Sequence, residues 1–365
     1  MSLSVLIAAG GTGGHMIPAD ALAAELRRRG HRVTLLTDRR GLRFPGLFDG
    51  VESHVVESAT ASGANPLRWL QALLAICKGR RRGRAIARDV AADAVVGFGG
   101  YPSLPGLLAG ASLGLPAVLH EQNAVLGRVN RRLQGRVSAV ALSYRRTARL
   151  SPAGEGKAKF TGNPVRASIL AGRERPFQSP LSDQPFQLLV VGGSQGARVL
   201  SELVPQAVLA LAEEQRRRLR LVQQCRPEDL SAVSARYEEA GVEAECLPYF
   251  ADFPERLANA HLLISRAGAS TMAELTAVGR PAILIPYAAA MDDHQTANAA
   301  GFVAAGAGFQ LAEAEATPAK LAGLIRGFLG SPEALQGAAA AAKALGVPDA
   351  AARLADLVEH EVEAA

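Results

Sequence analysis

Cysteine is scarce in this 365-residue chain: Cys77, Cys225 and Cys246 stand far apart, with no CxxC pair and no histidine at metal-ligand spacing. This argues against a disulfide framework and a zinc site, and leaves reduced, mostly buried thiols as the expectation. Long apolar runs are missing too. No stretch reaches the ~18–20 residues that span a bilayer, so no transmembrane helix is expected. Aromatic residues make up only 5% of the chain, and Trp69 is its one tryptophan. The dinucleotide pattern GxGxxG fails where it would be sought: counting from Gly11 and Gly13, Met16 stands where the third glycine belongs. The start, MSLSVLIAAGG, has no basic leader and runs directly into glycines. It reads as a buried strand and not as a signal peptide, which implies a cytoplasmic protein.

What is present is the balance of a soluble globular protein, 48% hydrophobic and 20% charged, at a length that suits two domains. The net charge of +6 hides an asymmetry. Residues 1–166 carry 24 Lys/Arg against 10 Asp/Glu, and the remainder carries 16 against 24. The basic half suits an anionic partner: nucleic acid, an acidic membrane surface or a phosphorylated substrate. Charge alone does not choose among them.

Short apolar runs alternate with helical patterns throughout, the signature of βαβ units and parallel sheets. Strands are expected at Ser4–Ala9, His31–Leu36, Ala94–Phe98, Ala117–His120 and Val137–Leu142, then at Gln187–Val191, Leu219–Gln223, Glu243–Leu247, Leu262–Ser265 and Pro281–Pro286. Ser151–Pro164, rich in Gly, Pro and Lys, is the candidate linker between them. Each half opens on a strand, a glycine loop and an amphipathic helix: GGTGGH (Gly10–His15) in the first, GGSQGAR (Gly192–Arg198) in the second. A glycine loop ahead of a helix N-terminus offers unpaired N–H groups and partial positive charge to an anion such as phosphate. One such loop is weak evidence and equally a tight turn; two, each opening a half, are much stronger. His15 stands at the mouth of its loop, which favours a place in the site over a structural role.

Ser265–Leu275 (SRAGASTMAEL) follows a strand and opens a helix. Taken alone, Ser270 or Thr271 as cap with Glu274 as a capping-box glutamate explains it, although a carboxylate there also suits ribose hydroxyls. Asp292–Gln295 invites a metal reading, but adjacent carboxylates diverge and no third ligand is near; a sugar-binding polar loop without metal is expected. In Pro66–Arg88, Leu67, Trp69, Leu70, Leu73, Leu74 and Ile76 crowd one stretch, followed by Lys78, Arg80, Arg81, Arg82, Arg84 and Arg88. This is either a buried helix ending in a solvated basic turn or, the favoured reading, an interfacial segment on anionic headgroups.

Seven stretches together resemble the MurG family of UDP-GlcNAc transferases: GGTGGH with Pro18, GFGGYPSLP (Gly97–Pro105), HEQNAVLGRVN (His120–Asn130), TGNPVR (Thr161–Arg166), GGSQGAR, RAGASTMAE (Arg266–Glu274) and HQTANA (His294–Ala299). The resemblance covers both halves. It implies a GT-B fold, two Rossmann-like parallel-sheet domains facing each other across a cleft. Domains are expected at 1–162 (acceptor and membrane) and 163–340 (donor), with a terminal helix at about 341–365 packing back on the first. It implies transfer of GlcNAc from UDP-GlcNAc to the 4-hydroxyl of MurNAc in lipid I, giving lipid II and UDP, without metal or cofactor. The implied setting is the cytoplasmic face of the plasma membrane, with proteins of cell-wall synthesis as potential partners and no nucleic acid.

The resemblance further implies donor contacts from Ser194 and Gln195 to the diphosphate or ribose, from Ala251 to uracil, from Ala269, Ser270, Thr271, Met272, Ala273 and Glu274 to diphosphate and ribose, and from Gln295 to GlcNAc. Thr12, Gly13 and Gly14 would lie at the donor sugar and the acceptor diphosphate, with Asn123 and Arg166 completing the site. Glu274 then positions the donor and is no mere cap. Two departures stand out: ATASGANP after Ser58 lacks a basic loop, and Ala288–Met291 is less polar than the family pattern. An inverting displacement needs a base, and His15, with an ordinary pKa of ~6.5, is the candidate. The rivals are a transferase for another lipid acceptor, a UDP-sugar epimerase of the same fold, a nicotinamide oxidoreductase (disfavoured by the missing GxGxxG) and a nucleic-acid-binding protein.

Overall fold

A computed structural model describes residues 2–44, 46–58, 66–193 and 196–365, with Pro66, Arg68 and Trp69 described by backbone alone. The chain divides into two compact units, Met1–Arg166 with Val347–Ala365, and Ala167–Gly346.

The first unit runs β1 (Ser4–Ala8), α1 (Gly13–Arg28), β2 (Arg32–Thr37), β3 (Glu52–Val55), α2 (Pro66–Asp89), β4 (Ala94–Gly97), α3 (Gly100–Leu113), β5 (Ala117–Glu121), α4 (Arg128–Leu133), β6 (Ala139–Leu142), α5 (Pro152–Glu155) and β7 (Ala158–Phe160). Its seven strands are all parallel, in the order β3-β2-β1-β4-β5-β6-β7. The second runs α6 (Ala167–Leu170), β8 (Phe186–Val191), α7 (Arg198–Leu209), α8 (Glu213–Arg218), β9 (Leu219–Gln224), α9 (Leu230–Glu239), β10 (Glu243–Leu247), α10 (Phe253–Asn259), β11 (Leu262–Ser265), α11 (Ala269–Val278), β12 (Ala282–Leu284), α12 (His294–Ala304), β13 (Gly308–Gln310), α13 (Pro318–Gly330) and α14 (Pro332–Leu345). Its sheet is also parallel, β10-β9-β8-β11-β12-β13. Helices cover both faces of such sheets, so the central strands are continuous apolar runs: all five residues of β1 are buried.

Three strands lie outside the ten expected from the sequence: β3, β7 and β13. Each is an edge strand, half-exposed and short, so none carries an apolar run. The stretch expected as a linker, 151–164, is corrected by this: it holds α5 and β7, and β7 pairs with β6 through Val140↔Ala158 and Leu142↔Phe160. The closing segment splits. α14 packs on α11 in the second unit, while α15 (Ala350–Glu363) packs on α1 and the β4–β6 region of the first. Arg29 and His31 meet Glu359 at 2.8 and 2.7 Å, tying α15 to the start of β2.

α2 is one helix through the whole basic cluster, which overturns the alternative of a buried helix followed by a turn. Ala72, Gly79, Gly83, Ile86 and Ala87 form its buried stripe against α3. The other side leaves Leu67, Leu70, Leu73 and Leu74 exposed at 66%, 53%, 58% and 53%, followed by exposed Lys78, Arg80, Arg81 and Arg82. Ile76 is half-buried. Among the described residues no helix is long and apolar enough to cross a membrane.

Candidate functional site

Strand order in the first sheet reverses between β1 and β4, the point at which open α/β sheets bind ligands at their carboxyl ends. Gly10–His15 follows β1 and residues 98–105 follow β4, so both loops lie there. Thr12 is the N-cap of α1 in extended conformation, and its hydroxyl lies 3.2 Å from His15 Nδ1. Gly13 and Gly14 form the first turn. The loop is braced from below by Asp38, which accepts from the N–H groups of Gly11 (3.0 Å) and Gly41 (2.9 Å) and from Arg40 Nε (2.8 Å). Burial alone would raise the Asp38 carboxyl, but these donors hold it below its ordinary range. Gly100 opens α3 at φ +68°, where a side chain is strained, and a Cβ there would stand 3.4 Å from His15 Cε1. Glycine at 100 lets α3 begin against the imidazole.

The end of β5 supplies a buried polar layer. His120 Nε2 lies 3.1 Å from the Gly162 carbonyl, which can only accept, so this nitrogen carries the proton; Nδ1 accepts from Gln122 Nε2 at 2.9 Å. Burial lowers the His120 imidazole to about 4, and the neighbouring His15 contributes in the same direction. Glu121, also buried, accepts from Gly127 N–H (2.7 Å), Asn130 Nδ2 (2.8 Å), Asn123 N–H (3.0 Å) and Asn123 Nδ2 (3.2 Å). Burial raises its carboxyl despite four donors. One carboxylate thus shapes the loop that presents Asn123. Arg166 ends the first unit and acts electrostatically on Asp20 of α1, whose carboxyl burial raises.

The second sheet reverses between β8 and β11. Gly192 follows β8, and its N–H donates to Gln224 Oε1 at 3.2 Å. A Cβ on Gly192 would stand 2.4 Å from Ala197 N, so the loop closes on itself only with glycine here. Ser194 and Gln195, expected at the donor, lie outside the described residues, as do the side chain of Trp69 and residues 59–65 of ATASGANP.

After β11 the N-cap of α11 is Gly268, extended at φ −67° and ψ 146°. This corrects the capping reading. Ala269, Ser270 and Thr271 form the first turn, and Glu274 is the sixth helical residue, too far along to cap. It is buried, one turn beyond Ser270 on the same helix face. Met272 is buried, while Ala273 is half-buried. Ser265 Oγ and Ser270 Oγ are both buried with no hydrogen-bond partner among the described residues. Two orphaned hydroxyls at the mouth of a ten-residue helix fit an oxygen-rich anionic ligand.

Ala251 is exposed in the turn between β10 and α10. Arg256 braces that turn, reaching Glu245 of β10 at 2.5 Å and Asp252 at 2.7 Å with its guanidinium over the Phe250 ring. Gln295, second residue of α12, accepts through Oε1 from the Tyr287 N–H at 2.9 Å. Asp292 and Asp293 both take left-handed backbone conformations, and no His/Cys/Asp/Glu group suited to a metal occurs among the described residues. The thiols differ from expectation: Cys225 is buried, but Cys77 is exposed and Cys246 half-exposed. Cys225 Sγ donates to the Gln223 carbonyl at 3.8 Å, and its interaction with Cys246 on the neighbouring strand lowers the Cys246 thiol to about 7 and raises that of Cys225.

Family models match both units: the glycosyltransferase family 28 N-terminal domain over residues 5–142 and its C-terminal domain over 187–354. A Sphingopyxis alaskensis protein is 54% identical over 97% of this chain and 90% of its own length. A Zymomonas mobilis protein is 51% identical over 98% and 92%. Both are named UDP-N-acetylglucosamine–N-acetylmuramyl-(pentapeptide) pyrophosphoryl-undecaprenol N-acetylglucosamine transferase. This chain belongs to glycosyltransferase family 28, in its MurG branch. The crystal structure of Acinetobacter baumannii MurG matches with a TM-score of 0.77 at 29% identity, over 98% of this chain and 99% of that one.

Within this MurG-type chain the first unit brings together Thr12, Gly13, Gly14 and His15 at the start of α1, with Asn123 held by Glu121 after β5, and the second brings together Ala269–Glu274. Sequence reading left Asp38, Glu121, Asn130 and Ser265 without a role. Glu121 and Asn130 stand inside HEQNAVLGRVN, and a carboxylate followed by two asparagines was a usable signal. Asp38 stands in no recognised stretch, and nothing local points to the glycines it binds.

Proposed function

We propose that this chain transfers GlcNAc from UDP-GlcNAc to the 4-hydroxyl of MurNAc in lipid I with inversion, releasing UDP and lipid II. The carrying observation is the pair of buried hydroxyls of Ser265, at the end of β11, and Ser270, in the first turn of α11, with no hydrogen-bond partner among the described residues, and with Glu274 one turn beyond Ser270 on the same helix face. In this reading the α11 N-terminus and Ser270 take the diphosphate, Glu274 accepts from ribose hydroxyls, Ala251 meets uracil, and Ser194 and Gln195 add donor contacts. The second unit is the donor unit and the first the acceptor unit. No cofactor is required.

His15 is the base. With Nδ1–H donating to Thr12 Oγ1, Nε2 takes the proton from the attacking hydroxyl. His120, held neutral by burial, adds no positive charge beside it. Charge developing on UDP is met by helix N-termini and Arg166, an arrangement that works without a metal. Thr12–Gly14 and Asn123 hold the acceptor side.

The enzyme works as a peripheral protein on the cytoplasmic face of the plasma membrane. Four exposed leucines on α2 beside Lys78, Arg80, Arg81 and Arg82 support this. Each leucine gains ~1.5–3 kcal/mol on full burial, and each basic residue gains ~1 kcal/mol near an anionic surface.

The test is transfer of radiolabelled GlcNAc from UDP-GlcNAc to lipid I, with a lipid-free control. Labelled lipid-linked disaccharide, absent from the control, is the expected result. UDP-GlcNAc turnover without lipid would instead make the chain an epimerase, and transfer only to another glycolipid would change the acceptor.

A further inference from the structure

One ion pair in the second unit, between a buried arginine and a half-buried glutamate, has no part in the chemistry above. Arg266, the residue after β11, is 8% exposed. Its Nη1 donates to three acceptors: the carbonyls of Ile285 and Pro286, both at 3.1 Å, and Glu313 Oε2 at 2.7 Å. The same Glu313 oxygen accepts from the Ala288 N–H at 3.1 Å. The guanidinium also lies 5.3 Å from the centre of the Tyr287 ring. Four consecutive residues after β12, 285–288, are therefore clamped by one cation and one carboxylate drawn from two other parts of the unit.

The backbone group at the middle of this clamped segment is the Tyr287 N–H, which donates to Gln295 Oε1. That bond decides the polarity of the Gln295 carboxamide. With Oε1 committed to a backbone donor, Nε2 is the end presented as a donor, the polarity needed to meet sugar hydroxyl or N-acetyl oxygens. A loop released from the clamp would let Tyr287 drift and the amide rotate. The N–H presented to the sugar would then be lost without any change in Gln295 itself.

We infer that Glu313, through its pairing with Arg266 and Ala288, is a positioning residue for Gln295 and so for the sugar moiety of the nucleotide donor. This rests on the reading of Gln295 as a donor-sugar contact. Glu313 sits in the short turn Glu313–Glu315 after β13, outside every stretch that carries the family resemblance. A glutamate there gives no sequence signal; the fold alone delivers it to Arg266. The ion pair is only partly shielded, with the Glu313 side chain 26% exposed, so its value lies in geometry more than in net stability.

The experiment compares binding of UDP-GlcNAc and of UDP by calorimetry to the full-length chain and to Gln295→Ala, Glu313→Ala, Glu313→Gln and the double alanine variant. Gln295→Ala is expected to weaken UDP-GlcNAc by ~5–10-fold, the worth of one hydrogen bond, and to leave UDP within about twofold. Glu313→Ala should reproduce that selective loss, and the double variant should be no worse than either single one, because both remove the same contact. Glu313→Gln, which keeps an acceptor for Ala288, should fall between wild type and Glu313→Ala. Equal weakening of UDP and UDP-GlcNAc, full additivity in the double variant, or wild-type affinities in Glu313→Ala would each overturn the inference. Should Glu313→Ala fail to fold, Glu313→Gln decides: selective loss supports the role, unchanged UDP-GlcNAc binding removes it. A wild-type chain that binds UDP but not UDP-GlcNAc, or a silent Gln295→Ala, would instead bring down the donor-sugar reading on which the role depends.

Discussion

His120 on β5 holds the Gly162 carbonyl at 3.1 Å, joining the centre of the first sheet to the turn after its edge strand β7. Four residues on, the same segment reaches Arg166. The bond needs the neutral imidazole with its proton on Nε2, because Nδ1 is taken up accepting from Gln122.

That tautomer makes stability depend on pH. The folded His120 titrates at about 4, below the ordinary 6.5, because burial disfavours its charge. The unfolded chain therefore binds more protons between these values. His120 contributes full stability above about pH 6.5 and loses it as pH falls toward 4. The shift corresponds to ~3 kcal/mol at most. His261, lowered to about 4 mainly by burial, adds to the same window. Urea unfolding of wild type and His120→Gln at pH 7 and 5 checks this: the variant should lose less stability between the two. Equal losses would show that His120 is not the titrating group.

His15→Ala should lower kcat by ~10²–10⁴-fold, the usual worth of a general base, while UDP-GlcNAc affinity stays near wild type. Near-normal turnover with only weaker acceptor binding would make His15 an acceptor contact and end its assignment as base.

Transfer should proceed at an unchanged rate in EDTA, as the proposal that helix N-termini and Arg166 serve the leaving group requires. A rate abolished by EDTA and restored by a divalent cation would require a metal site that the charge-stabilising groups above do not include.

Charge placed on the exposed face of α2 should detach the protein from membranes without unfolding it. Leu70→Asp with Leu74→Asp is expected to abolish co-sedimentation with vesicles containing anionic lipid and to leave the melting temperature within a few degrees. Sedimentation equal to wild type would assign membrane attachment elsewhere.

The three thiols should separate by reactivity. Exposed Cys77 should be alkylated first. Cys246 should follow at a rate that falls as pH drops below about 7, and buried Cys225 should stay unmodified in the folded protein. Modification of Cys225 ahead of Cys246 would contradict the order set by their burial and by the lowered Cys246 thiol.

The central strands and the loops after them were legible because their cause is local. A strand buried on both faces must be apolar, as in SVLIA and FQLLVV, and a loop that lets a helix start beside a ligand must be small, as in GGTGGH. Edge strands obey no such demand. β3, β7 and β13 face water along one side, so Lys159 sits in β7 as comfortably as in a linker, and that is how 151–164 read. The cap of α11 shows the same limit. STMAE satisfies a capping-box spacing, but the backbone turns helical at Ala269, and Gly268 takes the cap.

By itself the sequence determined the two-unit α/β plan, the family and the positions of the glycine loops, because each follows from short-range periodicity and from side chains that must be small. The tertiary structure alone decided which distant carboxylates serve those loops. Asp38 beneath Gly11 and Glu313 beneath Ala288 are each delivered by strand order and helix packing. A loop N–H without a partner in its own segment takes whichever acceptor the fold carries to it, however far away in the chain.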